Sequence, residues 1–270
     1  MTLRVISYGG GIQSTALCIL AAQGKLDDIM GGPIDVALFA NVGDDSEHPK
    51  TLSFVRDFMI PWSAEQKFDI IELHRTDKDG NQRTLWNDLV DDDNSSVVIP
   101  VRMDGGMPGN RRCTRDYKVR VVGKWLRQNG ANFRDPAHIA IGISTDEFER
   151  ANNKTEIGYE KKIFPLLELG MSRTNCAELI VETGFPLPPK SSCFFCPYKK
   201  LAHWQEMRRD EPELFDKAQE LEDKLNVKRD SLGKDRVYLA IGGQRLSDAA
   251  VEAQLSLFDD GQCDEGYCWT

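Results

Sequence analysis

No stretch of this sequence approaches the ~18 consecutive apolar residues that a membrane-crossing helix needs. The opening MTLRVISYGGG lacks a basic stretch, a long apolar region and a small-residue cleavage site, so no secretory signal peptide is expected. A cytoplasmic protein with no membrane partner is the expectation. Excess positive charge is also missing. The net charge of -9 excludes a surface coated for nucleic acid, although a local basic patch stays compatible with it. Internal repeats and low-complexity segments are absent. The Gly-rich turn near the N-terminus carries no Gly-Lys-Ser/Thr and no Gly-x-Gly-x-x-Gly, which excludes the lysine-bearing P-loop and the dinucleotide fingerprint. Apart from Cys263 and Cys268 at the end, Cys193 and Cys196 are the one close cysteine pair, so the two close pairs typical of structural zinc are not present.

What is present suffices for one large core, or one core with a smaller appendage: 270 residues, 40% of them hydrophobic. LRVISYG reads as a strand ending in glycines, and QSTALCILAAQGKL behind it has helical spacing. The pattern recurs, with a strand at about 34 to 40 and a helix at about 48 to 59. FDIIELHR and AHIAIGIST read as further strands, and RDYKVRVVGKWLRQNG as a helix closing on Gly130. Apolar strands alternating with helices predict an α/β fold, a doubly wound, mostly parallel sheet with ligands beyond the carboxyl ends of its strands. The Gly-rich turn, the Asn41–Asp44 turn and the turn at 143–147 are therefore expected to converge. A nucleotide-binding domain over 1–165 and a C-terminal cysteine-bearing helical region over 166–270, ending in a mobile acidic tail, follow from the change of character near residue 160. Ser172 or Thr174 is the expected N-cap of a helix there.

The turn SYGGGIQST offers backbone amides and a helix N-terminus to phosphate, with hydroxyls from Ser7, Ser14 and Thr15 beside them. A plain tight turn that uses glycine for positive φ is the competing explanation. Ser7, Tyr8, Gly9, Gly10 and Gly11 resemble the Ser-Gly-Gly-x-Asp-Ser loop of the PP-loop ATP pyrophosphatases, and especially the branch containing phosphoadenosine phosphosulfate reductase. Gln13 stands where that family often has Asp, and Asn41, in FANVGD with Gly43, where an acidic residue is usual. GISTDEFER, with Asp146, Glu147 and Arg150, is similar to the family's Gly-Ile-Arg-x-x-Glu-Ser-x-x-Arg segment, and PLLE at 165–168 to the segment that precedes its cysteine pair. The resemblance covers most of the chain. It implies an adenine nucleotide alpha hydrolase-like, Rossmann-like fold, and ATP with Mg2+ bound through Ser7, Gly9, Gly10, Gly11, Gln13, Ser14, Thr15, Asn41, Gly43, Asp146 and Glu147.

Seven cysteines in a reducing compartment read as thiols, metal ligands or catalytic groups rather than a disulfide framework. Cys18 lies on an apolar helix face and reads as a buried structural thiol. Cys193 and Cys196 allow half a zinc site, a redox dithiol, or a set completed by Cys113 and Cys176; thiolates in that number suit an iron-sulfur cluster as well as zinc. Cys176 reads equally as a packed residue in the first turn of its helix. RRCTRDYK and KSSCFFCPYKK are similar to paired segments of sulfur-transferring PP-loop proteins, including the DNA phosphorothioation branch. That implies a [4Fe-4S] cluster on Cys113, Cys193, Cys196 and, as a fourth ligand, Cys176. The tail cysteines Cys263 and Cys268 carry persulfide sulfur or exchange thiols, or belong to a frayed end.

Arg111, Arg112, Arg115 and Lys118, with Arg150, Lys190, Lys199 and Lys200, make a local positive lining on an acidic chain. The function expected is an ATP-dependent sulfurtransferase that adenylates an oxygen of a nucleic-acid or nucleotide acceptor and replaces it with sulfur. A cysteine desulfurase or another donor would supply the sulfur, and Arg150 and Lys118 would stabilise phosphate. An adenylyl-sulfate or phosphoadenylyl-sulfate reductase is the alternative, disfavoured because the Cys-Cys doublet and the Glu-Cys-Gly tail are missing. A non-catalytic nucleotide-binding module is the third. The oligomeric state, a homodimer included, stays open.

Overall fold

Along the strand β1 (Arg4–Tyr8), neighbouring side chains enter different cores: Val5 joins one hydrophobic cluster, Ile6 and Tyr8 another. Side chains of successive strand residues point to opposite faces, so a strand apolar on both sides must be covered on both. The computed structural model, which describes residues 2–91, 93–94, 96–103, 108–151 and 158–250, shows that cover. β1 is followed by the helix α1 (Ile12–Ala22), and β2 (Val36–Asn41) by a helical run over 49–64, α2. After β3 (Asp69–His74) come a short helix, α3 (Leu85–Val90), and a longer helical run over 112–128, α4. The strands β4 (Ala137–Ile141) and β5 (Glu160–Ile163) complete one five-stranded, all-parallel sheet in the order β3-β2-β1-β4-β5. The chain is thus a doubly wound α/β fold, and its strand order reverses between β1 and β4. In such sheets that switch point opens a crevice at the carboxyl ends of the strands.

Two helices fix the crevice. α1 is buried from Gln13 to Leu20, because the sheet covers one side and α5 (Arg173–Glu182) packs on the other. Ser172 caps α5, its hydroxyl accepting from Asn175 N at 3.1 Å while the Asn175 side chain accepts from Ser172 N at 3.0 Å. On the opposite face Val122 and Leu126 of α4 pack against Val36, Leu38, Ile139 and Ile141.

The C-terminal helices α6 (Leu201–Asp210) and α7 (Pro212–Ser231) share their core with the first half of the chain. Trp204, Phe215, Leu221, Phe194 and Phe195 pack with Leu85, Trp86, Leu89 and Tyr117. Buried Glu222 accepts from Leu239 N at 2.7 Å and Leu246 N at 2.9 Å, and Asn226 brackets Val237 through N and O at 2.8 Å each. These two polar side chains satisfy backbone groups of the segment that follows α7.

Two π-helical stretches, Phe54–Met59 and Arg115–Val119, interrupt α2 and α4. In α2 the run continues to Ala64, beyond the expected end near 59, since Pro61 falls at the seam after the π stretch, where the hydrogen-bond register is already changing. No helix among the described residues is long and apolar enough to cross a membrane.

Candidate functional site

The crevice at the switch point is a half-open cleft. Ser7, Gly9, Gly11, Ile12, Gln13 and Ser14 form one wall, Ile141, Gly142 and Ile143 the facing one. Glu147 and Arg150 line it from a 3-10 turn (Thr145–Arg150), Arg173 from the start of α5, and Pro189, Lys190 and Ser191 close the far side. The turn after β1 works because its three glycines do different things. Gly10 has φ 73, and a Cβ there would lie 3.0 Å from Thr51 Cγ2 and 3.2 Å from Val55 Cγ2. Gly9 has ordinary backbone geometry, with only Ser14 Oγ near a Cβ, at 3.9 Å, and it faces the open cleft. Gly11 is the N-cap of α1, with Ser14 Oγ donating to its carbonyl at 3.1 Å and accepting from its N at 3.2 Å. Gly142, which sequence reading did not assign to the site, brings β4 against α1: a Cβ would meet Gln13 Cβ and Ser14 N, both at 3.1 Å. Its signal in the sequence was a glycine directly after an apolar strand.

Charge in the cleft is organised around Gln13. Its Nε2 donates to Glu147 Oε1 at 3.1 Å, and its Oε1 accepts from Arg173 Nη1 at 3.2 Å. Glu147, buried, also accepts from Arg150. Three cations, Arg150, Arg173 and Lys190, therefore face one carboxylate in a cleft that opens on the N-terminus of α1. The balance favours a polyanion. The Ser7 hydroxyl, buried on the cleft floor, has no hydrogen-bond partner among the described residues, as expected of a group that waits for a ligand. Arg173 is the cation that sequence reading missed; its helix position could be read, but its approach to Gln13 depends on α5 packing on α1.

Not every expected ligand-binding residue lines the cleft. Gly10 is packed behind it, and Thr15, fully buried, contacts Tyr8 OH at 3.5 Å. Asp146 turns to the start of α5, where it accepts from Arg173 N. Asn41 and Gly43 belong to the neighbouring turn. The Asn41 amide donates to Asp44 at 2.7 Å and Glu72 at 2.6 Å and accepts from Gly43 N at 2.7 Å. Arg56 completes this cluster through both carboxylates, and its hydrogen bonds hold Asp44 below the usual carboxylate range.

Cys193 and Cys196 stand beside that turn, with Cys113 near them. Cys193 pairs across an isolated antiparallel bridge with Glu47, and Cys196 N donates to Cys193 O at 3.1 Å. Each of the three thiols feels its neighbours electrostatically. Burial pushes Cys113 up to about 11 and raises Cys193 further from its ordinary value. Lys118 stands among them, its ammonium 3.6 Å from buried Glu47 Oε1. The π stretch explains this position: residues five apart on an α-helix point about 140° apart, whereas the wider turn brings Lys118 back beneath Cys113. Glu47 is a third residue that sequence reading did not assign. Cys176 is elsewhere: it is fully buried in the core beside α1, raised to about 12 by burial, and its charged neighbours are Asp146, Arg173 and Glu147. Cys18 is a core thiol, as expected. Cys263 and Cys268 lie outside the described residues.

Tested against the thiol metal centre expected from the sequence, the donors fit in kind but not in arrangement. Three sulfurs are neighbours and cations flank them, yet among the described residues no group of three or more His, Cys, Asp or Glu side chains converges to hold a metal ion. The thiols and the cleft are nonetheless close along the chain. Ser191 lines the cleft and Cys193 follows two residues later, at most ~7 Å of backbone. No family model and no curated protein matches this sequence.

Proposed function

We propose that the chain is a PP-loop ATP pyrophosphatase acting as a sulfurtransferase on an oxygen of a nucleic-acid or nucleotide acceptor, in the cytoplasm. One observation carries this reading: a single segment, 189–196, supplies the far wall of a cationic cleft at the N-terminus of α1 and then a pair of thiols. ATP would lie with its phosphates over Gly9, Gly11 and Ser14, and Arg150, Arg173 and Lys190 would neutralise charge on the departing pyrophosphate. The acceptor oxygen attacks the α-phosphorus, the bond to the β-phosphate oxygen breaks, and pyrophosphate leaves. A sulfur nucleophile then displaces AMP, which carries away the acceptor oxygen. Mg2+ bound to the phosphates needs one or two carboxylates, and Glu147 is the acid in the cleft. A [4Fe-4S] cluster on Cys113, Cys193 and Cys196 would supply sulfur activation when bound. Lys118 offsets thiolate charge, and Glu47 orients Lys118.

The test is pyrophosphate release by anaerobically purified protein given ATP, Mg2+ and an oligonucleotide or nucleotide acceptor. Acceptor-dependent pyrophosphate with AMP formation supports the proposal. Sulfite release from adenylyl sulfates would replace it with the reductase reading, and the absence of turnover with every acceptor would leave a nucleotide-binding module.

A further inference from the structure

A second cavity backs onto the nucleotide cleft and shares Pro189 and Lys190 with it. Its volume is ≈ 190 Å³, and its lining includes Lys199, His203, His48 and Glu211. Its charges divide into matched and unmatched ones. Glu211 accepts from His48 Nε2 at 2.7 Å and pairs with Lys50, so its charge is met. Since His48 Nδ1 accepts from Lys50 N at 3.2 Å, its Nε2 carries the proton given to Glu211. Asp210 is held by Arg209 at 2.8 Å, and Glu206 is exposed to water. Lys190 approaches His203 Nδ1 at 3.4 Å. That leaves Lys199. It is only 7% exposed, and its ammonium stands 5.8 Å from the centre of the Trp204 ring. Among the described residues it makes no ion pair and no side-chain hydrogen bond. Burial disfavours its charged form, and its charged neighbours Cys196, Lys190, Cys193 and Glu211 act on it without a direct ion pair. An ammonium taken out of water without a direct partner costs free energy, which an anion bound in the cavity would offset.

We propose that this cavity is a phosphate subsite that holds a backbone phosphodiester of the nucleic-acid acceptor, with Lys199 as its buried charge and Lys190 as the wall between acceptor and nucleotide. Only the identity of the acceptor rests on the function proposed above; the need for an anion rests on Lys199 itself. The subsite places the acceptor beside both the cleft and the Cys193–Cys196 loop, from which Lys199 follows directly, its N donating to Cys196 O at 3.0 Å.

The experiment uses the full chain and a fluorescein-labelled single-stranded oligonucleotide, with anisotropy read over a salt series for wild type, Lys199→Met and Lys199→Arg, and ATP affinity measured in parallel. Lys199→Met should weaken oligonucleotide binding about tenfold, the scale of one charged hydrogen bond lost. It should also lower the salt slope by about 0.7, the release expected for one phosphate contact on a single strand. Lys199→Arg should bind close to wild type, and ATP affinity should not change. An oligonucleotide with neutral methylphosphonate linkages should bind wild type more weakly, a comparison that holds even if Lys199→Met fails to fold. Equal affinity and slope in wild type and Lys199→Met, or equal binding of the neutral oligonucleotide, would overturn the subsite. If wild type binds no ATP while Lys199-dependent oligonucleotide binding persists, the pyrophosphatase reading falls and the subsite stands.

Discussion

Gly9 and Gly10 are adjacent in the chain, yet replacing each with alanine should have opposite consequences. At Gly10 the backbone is left-handed, φ 73, which costs a residue with a Cβ roughly 1–2 kcal/mol. The new methyl would also press on Thr51 Cγ2 and Val55 Cγ2, at 3.0 and 3.2 Å. Both neighbours are β-branched and stiff, so overpacking adds roughly another 1–2 kcal/mol. For a chain of this size a loss of about 2–4 kcal/mol lowers Tm by roughly 5–10 °C. At Gly9 φ is ordinary, and the nearest atom to a Cβ is 3.9 Å away. Gly9→Ala should leave Tm unchanged or raise it slightly, since alanine narrows the unfolded ensemble. Its methyl, however, would occupy the cleft where the proposed function brings phosphate to the backbone amides, and on that proposal ATP affinity should fall at least tenfold, about 1.4 kcal/mol. Differential scanning fluorimetry and calorimetric titration with ATP separate the two effects. The reasoning is refuted if Gly9→Ala melts as early as Gly10→Ala, or if it binds ATP like wild type.

Three further outcomes follow from particular contacts. Gln13→Asp puts a second carboxylate beside Glu147, now 3.1 Å from the Gln13 amide. With Arg150 and Arg173 nearby the variant should lose about 1–2 kcal/mol at neutral pH and recover with millimolar Mg2+; a melt indifferent to Mg2+ would count against this placement. Cys113→Ala should abolish bound iron and sulfide in anaerobic preparations, whereas Cys176→Ala should keep both and cost about 1 kcal/mol of core packing. Metal content that falls equally in the two variants would return Cys176 to the ligand set. Glu222 titrates above its ordinary value because burial outweighs the two amides that hydrogen-bond to it. A carboxyl raised in the folded state stabilises fully below its unfolded pKa, and that contribution is lost as pH rises through the folded value. Wild type should therefore lose stability relative to Glu222→Gln as pH climbs from about 4, and parallel pH profiles of the two proteins would rule this out.

The strands of the sheet centre were legible because they are apolar on both faces: Val5-Ile6, the run Val36–Asn41 and Ile139-Ala140-Ile141 admit few other readings. β5 was not, since an edge strand reading Glu-Lys-Lys-Ile carries charge wherever it meets water. The glycine turn and the 142–150 segment met in one cleft, as strand polarity required. Arg173 and Ser191 entered it through helix and loop packing that no local pattern encodes. The π stretch at Arg115–Val119 was equally hidden, because an inserted residue in a helix leaves its composition unchanged. The partners of Asn41 were hidden for another reason: its side chain turns to Asp44 and Glu72 at the carboxyl ends of β2 and β3, a competition among polar groups that only three-dimensional neighbours decide.

The pairing of Glu47 with Cys193 joins the turn after β2 to a loop more than half the chain away. Closing so long a loop adds little free energy, because the entropic cost grows only with the logarithm of its length, but it slows the search for the native contacts. During synthesis the glycine turn leaves the ribosome first, with its facing strand β4 following and Lys190 and Ser191 emerging long afterwards. A nascent chain shorter than that holds half a cleft and no paired thiols. The cleft and the neighbouring thiol pair are thus completed in one late event, so a truncated product should hold neither in full.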